Sequence, residues 1–136
     1  MTERKTVKLE DLIKEKLRLK LDGDRKITQS LTIPRLEADI DIEVMKSDVT
    51  DFLDVAHDKD STDEISEAAG HNLIYTIVKE PNLRDKELQE AYECKEPTDI
   101  VPALFTDGEM LDIIDVAIDA VGMRKGTVQV VKNLKN

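Results

Sequence analysis

Residues 79–105 read KEPNLRDKELQEAYECKEPTDIVPALF, and the way this stretch is punctuated decides the architecture. Glu-Pro occurs at Glu80-Pro81 and again at Glu96-Pro97, sixteen residues later. Each proline removes an amide donor and pushes the preceding glutamate out of helical geometry. A long helix before Pro81 therefore ends near Lys79. Asp85 can cap a short helix over DKELQEAY, and Thr98 or Asp99 can cap DIVPALF. In the second helix Pro102 falls in the first turn, where its missing N–H costs little. Leu83, Leu88 and Ala91, then Ile100, Val101, Leu104 and Phe105, are the residues expected inside. Neither helix is long enough to stand alone, so both must be held by packing.

The next segment, EMLDIIDVAIDAV (109–121), is capped by Thr106 or Asp107 and closed by Gly122 in the left-handed conformation. Asp112, Asp115 and Asp119 form one narrow acidic stripe, and nearly everything else is apolar. Such a helix is either the centre of a bundle or keeps part of its girth free for another protein's helix. Both hold if the core lends one edge to a partner. Met110, Leu111, Ile114 and Ile118 are the candidate protein-binding residues.

Upstream the period changes from 3.6 to 2. KITQSLTI (26–33) alternates Ile27, Gln29, Leu31 and Ile33 with Thr28, Ser30 and Thr32 until Pro34. LEADIDIEV (36–44) sets Leu36, Ala38, Ile40, Ile42 and Val44 against Glu37, Asp39, Asp41 and Glu43. Alternation of this kind predicts half-buried strands, here a hairpin that must cover its apolar side. The four carboxylates point parallel rather than converging as a calcium site requires. They read as a solvated acidic edge that resists unwanted pairing.

Ser47 or Asp48 can cap SDVTDFLDVAH, with Val49, Phe52, Leu53 and Ala56 inward. Ser61 or Thr62 can cap EISEAAGHNLIYTIVK, with Ile65, Ala68, Ala69, Leu73 and Ile77 inward. At the start, LEDLIKEKLRLKL (9–21) places Leu9, Leu12, Ile13 and Leu17 on one side of a basic helix, followed by a turn at Asp22-Gly23-Asp24. The predicted fold is α+β, mainly α. It is a compact C-terminal helical bundle with a small N-terminal β-hairpin, preceded by a basic helical arm. One domain of 1–136 holds an arm (1–26), the hairpin (27–46), the bundle (47–123) and a basic tail (124–136).

The 136 residues carry a net charge of −10, unevenly spread. Residues 1–26 hold nine Lys/Arg against six Asp/Glu, residues 27–121 hold seven against twenty-four, and residues 122–136 hold four against none. An acidic body is a poor match for phosphate, so no nucleic acid is expected as a partner. Two Phe, two Tyr and no Trp imply an aliphatic core with little to stack on bases or sugars. Cys94 is the single cysteine, which excludes an internal disulfide and suits a small buried side chain in a reducing cytosol. No apolar run approaches the ~18 residues of a membrane span, and MTERKTVKLEDL lacks a signal-peptide core.

Motifs of chemistry are missing. Asp58-x-Asp60-x-Thr62 resembles the start of an EF-hand, but Asp63 stands at the glycine position and Ala69 at the glutamate position. His57 and His71 have no companions at metal-ligand spacing, and neither a Gly-rich phosphate loop nor a nucleophile elbow occurs. No catalytic residue, cofactor or metal is expected, and the chain reads as a non-enzyme.

The block from Asn72 to Gly122 resembles the small tail assembly chaperones of long-tailed bacteriophages and prophages, in particular their XkdN-like group. The resemblance rests on Ile74-Tyr75, then Glu80-Pro81-Asn82-Leu83 with Asp85 and Glu87-Leu88. It continues in Glu96-Pro97 with Asp99-Ile100-Val101, in Phe105, and in the Gly108-Glu109 start of the last helix. The acidic strand at 36–44 and the DKDSTDE loop are not parts of that pattern. The resemblance implies a chaperone that binds the tape measure protein, and with it the tail tube protein, and keeps that long helical client soluble. It also implies residence in the cytoplasm of a bacterial host and absence from the mature virion. Homo-oligomers are compatible with it. A longer form made by −1 frameshifting is implied as well, with slippage across Val131-Lys132-Asn133 or Asn133-Leu134-Lys135. The rival reading is an acidic nucleic-acid mimic or regulator antagonist, in which Glu37, Asp39, Asp41, Glu43, Asp112 and Asp115 bind a basic partner.

Overall fold

The two alternating segments pair with each other. In a computed structural model, which describes residues 8–14 and 25–122, β1 (Ile27–Ile33) lies antiparallel to β2 (Ala38–Val44). Ile27 stands opposite Val44 and Ile33 opposite Ala38. Pro34 ends β1 as expected and opens a single 3-10 turn, Pro34–Leu36, closed by Glu37 with a positive φ of 51°. Leu36 and Ala38 are correspondingly exposed. The corner takes up the first residues of the predicted strand, and only Ile40, Ile42 and Val44 reach the core.

The sheet has a third strand, which corrects the two-stranded hairpin. Helix α3 (Asp63–Ile77) ends two residues short of Lys79, because Val78–Glu80 leaves it as β3 and pairs antiparallel with β2. Strand order is β1-β2-β3. β2 is therefore the middle strand rather than an acidic edge. Its carboxylates are tied instead across the ladder: Ser30 Oγ donates to Asp41 Oδ1 at 2.5 Å and Thr32 Oγ1 to Asp39 Oδ1 at 2.9 Å.

Helix α1 spans Leu9–Lys14, and Leu9, Leu12 and Ile13 are all exposed. Leu17, the Asp22-Gly23-Asp24 turn and the basic tail lie outside the described residues. Helix α2 (Lys46–Ala56) starts one residue before the expected cap. Met45 is its N-cap, and its N–H donates to Asp48 Oδ2 at 3.0 Å. For α3, Thr62 is the cap, with Oγ1 accepting from Ile65 N at 3.2 Å. That phase turns Gly70, Leu73, Ile74 and Ile77 inward. Ile65 and Ala68 fall outside the stripe and are exposed, against expectation.

The Glu-Pro units fold as two short helices, α4 (Lys86–Ala91) and α5 (Ile100–Leu104). Asp85 caps α4, accepting from Leu88 N at 2.9 Å. Before α5, Pro97–Asp99 forms a 3-10 turn, and Asp99 reaches back: its Oδ2 accepts from Lys95 N at 3.1 Å and Glu96 N at 2.9 Å. Asp99 thus fastens the turn instead of capping the helix that follows. Gln89 clips the two units together, with Nε2 donating to Leu83 O at 2.8 Å and Pro97 O at 3.3 Å. Leu83, Ile100, Val101 and Phe105 are buried, while Ala91 is exposed. Cys94 is half-buried against the core.

Helix α6 (Asp107–Ala120) is capped by Thr106, and Gly122 follows it with φ 77°. One hydrophobic cluster joins the sheet's apolar face (Ile33, Ile40, Ile42, Val44) to Val49, Leu73, Ile74, Ile77, Ile100, Val101, Ile113 and Ala117. Its hub is α3, which packs against α2, α5, α6, β2 and β3. The last helix is therefore not the central one. It buries a single stripe, Met110, Ile113 and Ala117, because α3 alone cannot cover its full circumference.

Candidate functional site

Between α2, α3 and α6 lies an open cleft of about 390 Å³, lined by Phe52, Ser66, Glu67, Gly70, His71, Asp107, Met110, Leu111 and Ile114. Helical spacing brings these residues together. Ser66, Gly70 and His71 follow one another up α3, while Met110, Leu111 and Ile114 occupy one turn of α6. Gly70 sets the depth. A Cβ on it would lie 3.2 Å from Ile114 Cδ1 and 3.8 Å from Phe52 Cε1, so the three helices converge where a side chain is missing.

The floor is apolar and the rim acidic. Met110 is buried, Ile114 is half-buried, and Leu111 is 64% exposed. Glu67 and Asp107 stand among the lining residues. His71 Nε2 is enclosed yet has no hydrogen-bond partner among the described residues, and it lies 3.9 Å from Glu67 Oε1. Ile118 is half-buried against the core and lies beyond the cleft lining. Three of the four candidate binding residues thus share one wall. Phe52, Gly70 and His71 join them from elements that sequence reading treated separately. A glycine in the middle of a helix was the signal of a close approach.

The start of α6 is held firmly. Thr106 Oγ1 accepts from Glu109 N at 3.2 Å, and Thr106 N donates to Glu109 Oε1 at 2.9 Å, a reciprocal capping box. Arg35, from the β1–β2 corner, donates through Nε to Glu109 Oε2 at 3.0 Å and through Nη2 to Oε1 at 2.9 Å. Nη2 also donates to Leu104 O at 2.6 Å. The guanidinium bonds and the Thr106 amide together hold the Glu109 carboxyl down to about 2. Met110 and Leu111 directly follow this clamped residue, so their place in the cleft wall is determined by it.

A family model for the phage XkdN-like tail assembly chaperone protein matches residues 5–135. The chain belongs to that family. The matched span runs through the acidic strand and the DKDSTDE loop. No curated protein and no solved structure gives a significant match. In the chaperone, no helix among the described residues is long and apolar enough to cross a membrane. The same residues contain no group of three or more His, Cys, Asp or Glu able to hold a metal ion.

The acidic residues do not gather. Asp39 and Asp41 sit on the polar side of the sheet bonded to Thr32 and Ser30, whereas Asp112 lines a separate groove between β1 and α6.

Proposed function

We propose that the chaperone binds the tape measure protein through the wall formed by Met110, Leu111 and Ile114, extended along α6 by Ile118. In this way it keeps the client soluble until tail tube subunits polymerise around it. The observation that carries this reading is Leu111, 64% exposed at the lip of an apolar cleft. An amphipathic client helix laid there covers Leu111, which contributes up to about 2 kcal/mol, and can place side chains over Phe52 and Ile114. The net charge of −10 then keeps the coated client from clustering, since like charge opposes association. The role needs no catalysis. It belongs in the cytoplasm of the bacterial host and ends before the virion is complete.

Co-expression of the chaperone with a candidate tape measure protein is the test. The client is expected in the soluble fraction with the natural chain and in the pellet with Leu111→Asp, whose added charge meets the client's apolar face. A client equally soluble without the chaperone would sink the proposal. Salt separates the rival reading. An aliphatic contact holds in high salt, while a carboxylate surface bound to a basic partner lets go.

A further inference from the structure

Strand β1 offers a second surface, independent of the cleft. Among the described residues it is bonded on one side only, to β2, and its outer edge is open. Edge strands ordinarily carry charges that discourage pairing. Here β2 holds Asp39, Asp41 and Glu43, and the short edge strand β3 holds Lys79 and Glu80. β1, ITQSLTI, holds none. Its sequence also reads nearly the same in both directions about Ser30: Ile27 mirrors Ile33, and Thr28 mirrors Thr32. A two-fold contact needs such a self-complementary surface.

We propose that β1 pairs antiparallel with β1 of a second copy of this chain, about a two-fold axis at Ser30, joining two three-stranded sheets into one of six strands. Ser30 faces Ser30, Ile27 faces Ile33, and Thr28 faces Thr32. These β-branched pairs are ones that antiparallel ladders favour. A groove of about 290 Å³ runs beside this edge, lined by Leu31, Ile33, Glu109, Asp112, Ile113 and Val116 among others. The incoming Ile27 arrives next to Ile33, at that groove. The same register sets Arg25 opposite Arg35 of the other copy, whose charge Glu109 already answers, and Asp112 of that copy lines the same groove. The acidic middle strands do not prevent this. Asp41 of one copy and Asp41 of the other stand three strand spacings apart, roughly 14 Å, beyond the ~8 Å over which exposed charges act at physiological salt.

The test is the mass of the full chain in solution, with Ser30→Lys as the variant. Lysine at 30 lies opposite Asp41 in its own sheet, which suits the monomer, but sets two ammonium groups face to face at the axis. The natural chain is expected at twice its 15.4 kDa mass. Ser30→Lys is expected to keep its circular dichroism and raise the dimer dissociation constant by at least about tenfold. Amide exchange in the natural chain supplies the second measurement, with protection in β1 rising with protein concentration. A natural chain that stays monomeric up to its solubility limit overturns the proposal. So does a dimer whose β1 amides show no concentration-dependent protection, which would pair through another surface. Should Ser30→Lys fail to fold, the exchange result alone decides. Client solubilisation does not enter the test, so the cleft reading stands or falls separately.

Discussion

Arg35 holds Glu109 with two nitrogens, at 3.0 and 2.9 Å, across 74 residues of sequence. Arg35 lies on the corner between β1 and β2, and Glu109 is the third residue of α6, so the pair ties the sheet to the helix carrying Leu111. The Glu109 side chain is only 17% exposed, against 48% for Arg35. The carboxylate is also the one that closes the capping box with Thr106. One side chain therefore fixes both where α6 begins and how it sits against the sheet.

This pair makes acid stability depend on Glu109. The carboxyl titrates near 4.5 when unfolded and about 2 when folded. Its contribution is complete above pH 4.5 and is lost as pH falls from there through about 2, because over that window the unfolded chain binds a proton that the folded chain does not. Glu109→Gln is expected to lower stability at neutral pH and to flatten the fall in stability between pH 4.5 and 2 by one proton's worth. Urea midpoints measured across that range check it, and equal slopes in the two proteins would refute it.

Thr106→Ala removes the acceptor for Glu109 N while leaving the Arg35 clamp. A lost N-cap side chain costs about 1 kcal/mol. The urea midpoint should fall with an unchanged slope on denaturant, since the surface exposed on unfolding is the same.

Two neighbours on α6 separate core from surface. Ile113 is 1% exposed, and Ile113→Ala should cost roughly 2–5 kcal/mol through lost burial and the cavity left behind. Leu111→Ala should change stability by less than about 0.5 kcal/mol while reducing the yield of soluble tape measure protein. Chemical denaturation and the co-expression assay, run on both variants, read the two effects apart. A Leu111→Ala protein as unstable as Ile113→Ala would place Leu111 in the core.

Gly70→Ala sets helix propensity against crowding. Alanine is favoured over glycine in a helix by about 1 kcal/mol, but its Cβ would lie 3.2 Å from Ile114 Cδ1. That atom ends a flexible side chain and can give by a few tenths of an ångström. The expected result is a small gain, below about 1 kcal/mol, seen as a raised midpoint. A loss would show Ile114 to be immovable.

Much of this was legible because the signals are local. Thr62, Asp85 and Thr106 cap the helices that follow them, and each needs only an oxygen within three residues of a free amide. Pro34 and Pro81 follow the last residues of β1 and β3, and Pro97 opens a 3-10 turn, each through its own ring geometry. The misreadings cluster where a distant neighbour chooses. Val78 has the composition to continue α3, yet β2 offers it a ladder, so the helix stops. Asp99 is a local exception: it could cap α5, but it accepts from the amides of Lys95 and Glu96, four and three residues behind it.

Local sequence alone sets the alternation of β1 and β2, the stops at Pro34 and Pro81 and the acidic stripe of α6. All of these follow from backbone sterics and side-chain period within a few residues. Long-range packing makes α3 rather than α6 the hub and brings Arg35 to Glu109. It also decides that Leu111 faces outward while Ile113, two residues on, is sealed. Two aliphatic residues separated by one position on a helix carry similar local preferences, and which one meets water depends on where the other elements stop covering the surface.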